Sequence, residues 1–276
     1  MKRIYPWLVV LAGIAGAILR GTQLCYGYEK SGLPKDGYLA LPVLTAVVLI
    51  GCVILSRFYR NARPFETTFY APAPQRAAGI LIGVLTAAVG LGGILSVPEQ
   101  LEEEISEFYE VIQPGSLIVA ATYAQWILCV LTGISIAAIA AGQNGVQRGK
   151  VYATCTVVPM FWAGVTMVMI YHANSGNPVQ TAFVYELLLC AAVMAAFYGI
   201  AGFFYSDGSA ARFMMYGGAA VYLGLTAVGS RIDAWLFGAG NVEITAMWQQ
   251  AALGLCALFV LPLLFSVPSR LGGQEE

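Results

Sequence analysis

Glu186 lies in the run Thr181-Ala-Phe-Val-Tyr-Glu-Leu-Leu-Leu-Cys190 and is the only carboxylate inside any long apolar stretch of the chain. Hydrocarbon disfavours a charge by about 2.5–3.5 kcal/mol at mid-bilayer, so intramembrane ionisable groups face a bundle interior, find a partner and mark ligand or proton sites. Three kinds of chemistry are open to such a carboxylate: holding a cationic solute, carrying a proton, or locking to an arginine. Arg20 and Arg231 are the cations that topology places in the same leaflet, with Asp233 beside the latter. Gln125 and Tyr222 supply hydrogen bonds if neither arginine reaches. Glu186, Arg20, Gln125, Tyr222, Arg231 and Asp233 therefore form the candidate ligand-binding set.

Enzyme chemistry finds little support. Paired acid–base work needs two carboxylates in reach, and only Glu186 with Asp233 could supply them. Asp207-Gly-Ser-Ala-Ala-Arg212 copies the D-G-x-x-A-R core of the CDP-alcohol phosphatidyltransferases. That chemistry needs further aspartates, and Phe204 stands where the preceding one belongs, so the match is excluded. Glu102-Glu103 likewise fails the E-E-x-x-x-R pattern of the CAAX-type membrane proteases, which need an arginine and histidines absent here. The single histidine, His172, cannot build an ordinary zinc or haem site alone. The six cysteines show no C-x-x-C and no disulfide framework. No metal and no cofactor are expected.

The elements that must position the set follow from composition. The chain has 276 residues, 59% hydrophobic and 11% charged, where soluble domains run near 45–50% apolar and about 25% charged. We expect an all-α polytopic integral membrane protein: one domain over residues 1–276, a bundle of about eight transmembrane helices with a short outer amphipathic helix. Spanning helices need roughly 17–25 residues. The segments that qualify are Ile4–Leu19, Leu39–Leu55, Ala77–Leu95, Ser116–Ala140, Tyr152–Tyr171, Thr181–Tyr205, Phe213–Gly229 and Met247–Phe265. Lys2 and Arg3 before the first imitate a signal peptide, but no A-x-A-like cleavage site follows and a retained span is expected.

With the N-terminus inside, the inner connections hold Lys2, Arg3, Arg57, Arg60, Arg63, Arg76, Arg148, Lys150, Arg212 and Arg270. The outer ones hold Arg20, Lys30, Lys35 and Arg231. That bias predicts a cytoplasmic (plasma) membrane protein with both termini in the cytoplasm. Ser96-Val-Pro-Glu99 matches a capping box, and Leu101, Ile105, Phe108 and Ile112 then share one face among five glutamates. This predicts an outer surface helix over Pro98–Ile112, whose acids could collect cations or merely face water.

Within the sixth segment Glu186 shares a stripe with Ala182, Cys190, Val193 and Phe197, about five residues or roughly 7–8 Å from the entry at Thr181. Ala191, Ala195 and Gly199 lie on the opposite side, so small residues do not decide which way Glu186 points; the cost of facing lipid does. Arg20 either snorkels to the interface or turns inward. Polar groups otherwise collect at the outer ends, from Gln23 to Gln249, while the inner halves offer mostly Ser, Thr, Cys and Gly. An outward polar cavity sealed below is expected, which argues against an open channel.

Two functional readings follow. One is a carrier for a small polar or cationic solute working through Glu186. The other is a non-transporting sensor or assembly subunit that binds a ligand or a partner membrane protein at its outer face. The lipid bilayer is the shared partner; no nucleic acid is expected, since no basic aromatic-rich strip suggests it.

Overall fold

A computed structural model of the chain describes residues 4–27, 35, 39–59, 71–107, 116–143, 150–174, 183–204, 208–236 and 244–271. Among them are eight helices long and apolar enough to cross a membrane, and no strand. They are α1 (Tyr5–Tyr26), α2 (Ala40–Ser56, closed by a 3-10 turn over Arg57–Tyr59), α3 (Ala73–Glu107), α4 (Ser116–Gly142), α5 (Lys150–Asn174), α6 (Val184–Phe204), α7 (Ala210–Leu236) and α8 (Ile244–Leu271). The expected all-α polytopic bundle is what the chain forms. Hydrocarbon gives a backbone amide no partner outside its own helix, so each long apolar run closes its hydrogen bonds internally.

The helices alternate in direction. Tyr5 Oη donates to the Met214 carbonyl, Gln75 meets Ser266, and Tyr152 stacks near Phe204, all at one end. The other end gathers the C-terminal turns of α1, α3, α5 and α7 with the starts of the even-numbered helices. Helices α3 to α8 form a closed ring, each packed on the next and α8 returning to α3. Helix α7 also packs against α1 and α2, which lie outside the ring. Burial follows this layout: 67% of the membrane stretch of α7 is buried, against 22% for α2.

Between lipid-covered helices there is no hydrophobic driving force, so close packing through small residues holds the contacts. The α3–α4 pair is the tightest instance. A Cβ added at Gly83 would stand 2.6 Å from the Ala137 nitrogen and the Gly133 oxygen, which leaves no room for a side chain there. Trp126, Trp162, Phe197 and Phe213 fill the ring interior with full burial, and Phe197 stacks on Phe259 with centroids 6.1 Å apart.

Three boundaries differ from expectation. Helix α1 runs on past Leu19 through Arg20 and Gln23, and α7 past Gly229 through Arg231 and Asp233. In both, polar side chains end the hydropathy signal while the helix continues. Third, Ser96–Glu99 is no helix start: α3 continues through Pro98 to Glu107. Ser96 Oγ donates 3.0 Å back to the Gly93 carbonyl instead of capping a new helix. At about 1.5 Å per residue α3 is roughly 52 Å long, well beyond the ~30 Å hydrocarbon core. The acidic segment is thus a helical extension of a span. Its remaining stretch to Ile112, and the side chains from Glu99 onward, lie outside the described residues.

Candidate functional site

Glu186 is the third residue of α6, in its first turn. Only two residues, or about 3 Å of rise, separate it from the helix start at Val184. The position suits a carboxylate, because the unsatisfied amides of a helix N-terminus carry a partial positive charge. The stripe below it, Cys190, Val193 and Phe197, is wholly buried, whereas Ala191 on the other side is exposed. Glu186 therefore points into the bundle, as the cost of facing lipid requires.

Two helices bring partners to it. Arg231 Nη2 on α7 lies 3.0 Å from Glu186 Oε1, with the two side chains 28% and 13% exposed respectively. Gln250 Nε2 on α8 donates to the same oxygen at 2.5 Å. Among the described residues Oε2 receives no hydrogen bond. Gln250 is 4% exposed, and its own Oε1 is buried without a donor. The triad thus joins α6, α7 and α8 through one carboxylate oxygen, and no donor among the described residues reaches Glu186 Oε2 or Gln250 Oε1.

The remaining candidates fall into other groups. Arg20 turns inward, 3% exposed, but not onto Glu186: its Nη1 donates to Gln23 Oε1 at 2.5 Å and its guanidinium lies 4.9 Å from the centre of the Tyr185 ring. Tyr222 Oη is 2.9 Å from Thr45 Oγ1, which is 3.3 Å from Tyr185 Oη. Arg20, Gln23, Thr45, Tyr185 and Tyr222 thus form a second polar cluster among α1, α2, α6 and α7. Tyr185 and Glu186, adjacent in sequence, face different sides of α6 and touch one cluster each. Gln125 on α4 bonds Thr166 on α5 at 3.4 Å and belongs to neither. Asp233 lies on α7, its side chain outside the described residues.

Sequence reasoning missed Gln250, Thr45 and Tyr185 as members. For Gln250 the signal was present: Leu253, Ala257, Val260 and Leu264, all buried, repeat from it at steps of three and four, so it shares the inward face of α8. Gln249, the neighbour singled out by topology, is only partly buried.

Thr122 and Cys129, which share one face of α4 with Gln125, do not extend either cluster inward. Thr122 Oγ1 bonds its own helix at the Ile118 carbonyl, and Cys129 Sγ reaches the Thr86 carbonyl at 3.7 Å. Thr86, Thr156 and Ser230 likewise bond carbonyls of their own helices. Among the described residues no cluster of His, Cys, Asp and Glu could hold a metal ion.

Fold and site together define a polytopic helical membrane protein with an ion pair set in the first turn of one span and closed by two neighbouring spans. Comparison with protein-family models, with characterised proteins and with solved structures finds no match.

Proposed function

We propose that the protein is a carrier for a small polar or cationic solute, and that the solute meets Glu186 and Gln250 at the Arg231 end of the bundle. The observation that carries this reading is a pair of acceptors that no donor among the described residues reaches, Glu186 Oε2 and the buried Oε1 of Gln250. Two oxygens, one on a carboxylate, call for N–H donors. A small amine or guanidinium solute brings those donors together with positive charge.

Arg231 already neutralises the carboxylate, and a second cation beside it would be repelled. Solute binding therefore exchanges with the Arg231 contact. Because α7 packs against α1, α2, α6 and α8, freeing its end gives the exchange a route to the rest of the bundle. The packed interior around Phe197 and Phe213 acts as the closed gate of this state. On the bias of basic residues, the protein sits in the plasma membrane with the Arg57, Arg76 and Arg212 end and both termini in the cytoplasm. The Glu186 site then faces outward.

The test is ligand-induced stabilisation of the purified protein, since a ligand that binds only the folded state raises its unfolding midpoint. Methylammonium, guanidinium and putrescine are expected to raise the midpoint more than tetramethylammonium, which carries the charge without a donor. Glu186→Gln should remove the difference. Equal shifts for all four, or shifts unchanged in Glu186→Gln, would overturn the reading. Binding without flux would favour the second reading, a sensor or assembly subunit, which a packed interior suits equally well.

A further inference from the structure

The end of the bundle opposite Glu186 carries a groove of about 250 Å³ lined by Val157 and Met160 of α5, Tyr198, Gly199, Ala201 and Gly202 of α6, and Ser209 and Arg212 at the start of α7. It exists because α6 presents glycine and alanine where α5 and α7 approach. The absent Cβ of Gly199 would stand 3.4 Å from Phe213 Cα, so the backbones are close at the floor. The α5 and α6 walls are largely apolar, and Tyr198 is 52% exposed, so the groove opens on the outer surface of the ring. Water gains little there, since a stable buried water needs two to four polar partners.

Among the described lining residues, Ser209 and Arg212 place polarity at the mouth. Ser209 Oγ accepts the Arg212 amide at 3.4 Å and caps α7, a helix of 27 residues whose positive end points at the mouth. The Arg212 side chain is exposed and lines the opening. Arg57, at the end of α2, and Arg76, in the first turn of α3, stand at the same end of the bundle. An apolar slot at membrane depth that ends in an arginine matches one occupant in both shape and charge.

We propose that this groove holds one phospholipid with an anionic headgroup, its acyl chain lying along Val157, Met160 and Ala201 and its phosphate against Arg212. Phosphate suits the site because a guanidinium donates two parallel hydrogen bonds to it. The site is separate from the Glu186 triad and does not depend on what that triad binds.

The experiment counts retained lipid by native mass spectrometry on the purified full chain, offered phosphatidylglycerol or phosphatidylcholine with identical acyl chains. Phosphatidylglycerol should be retained in preference, and Arg212→Gln should lower its retention about fivefold, the worth of one arginine near an anionic headgroup. Gly202→Leu, which fills the slot, should lower retention of both lipids. Should that variant fail to fold, the exposed Arg212→Gln decides alone. Arg57→Gln, at the same end but outside the groove, should leave retention unchanged. Equal retention of the two lipids would overturn the proposal. So would an Arg57→Gln loss as large as that of Arg212→Gln, or complete displacement of phosphatidylglycerol by an equal concentration of inorganic phosphate.

Discussion

Arg231 Nη2 and Glu186 Oε1 stand 3.0 Å apart across 45 residues of sequence, tying the last turns of α7 to the first turn of α6. The contact carries different consequences for its two members. Removing either one leaves a charge in a partly buried site, whereas removing both leaves none.

Glu186→Gln and Arg231→Gln are each expected to destabilise the folded protein by about 1–3 kcal/mol, the range for a charged group deprived of its partner. The double variant should lose less than the sum, a coupling that a double-mutant cycle isolates. Unfolding in mixed detergent measures all three. Arg20→Gln combined with Glu186→Gln should instead be additive, because Arg20 bonds Gln23 and faces Tyr185.

Gln250→Leu and Gln249→Leu place the same change on adjacent positions of α8. The first removes the donor to Glu186 and should cost about 1–2 kcal/mol; the second should be nearly silent. Equal effects in the same unfolding assay would mean that the inward face of α8 is not the one carrying Gln250.

The glycines of α3 and α2 make a second paired contrast. Gly83→Ala presses a methyl on the backbone of α4 and should destabilise by about 1–3 kcal/mol. A Cβ at Gly51 meets nothing within 4 Å, so Gly51→Ala should be neutral or gain up to about 1 kcal/mol of helix propensity. Thermal unfolding of the two variants in detergent separates them.

Reporter fusions after Gln113 and after Ala210 should report outside and inside respectively, because ten basic residues against four favour the end that holds Ala210 as the cytoplasmic one. Reversed results, or the same side for both, would remove the orientation and with it the outward-facing site.

Much of this architecture was legible in the sequence, for a physical reason. Hydrocarbon admits few backbone solutions, so runs such as Val184–Phe204 declare themselves helices by composition alone. The inward direction of Glu186 was legible on the same ground. Helix ends were not, because hydropathy stops at Arg20 and Arg231 while backbone hydrogen bonding continues through them. The choice of Arg231 over Arg20 was also hidden. Both arginines lie at one end of the bundle, and only the packing of α7 between α6 and α8 on one side and α1 and α2 on the other decides which meets the carboxylate. Ser96-Val-Pro-Glu99 misled because a serine that bonds its own helix reads, in sequence, like one that caps the next. Gln250 needed only the helical phase of the buried α8 residues, a signal weaker than polarity but present.

Counterflow in proteoliposomes tests most directly the proposed binding of a translocated solute at Glu186. Vesicles holding the purified protein and loaded with unlabelled putrescine or methylammonium are placed in a trace of the labelled amine. Transient accumulation of label is expected in vesicles holding the wild-type chain, and none with Glu186→Gln protein that elutes as a folded species. Accumulation no greater than in protein-free vesicles for every N–H-bearing cation, or undiminished in Glu186→Gln, would contradict it.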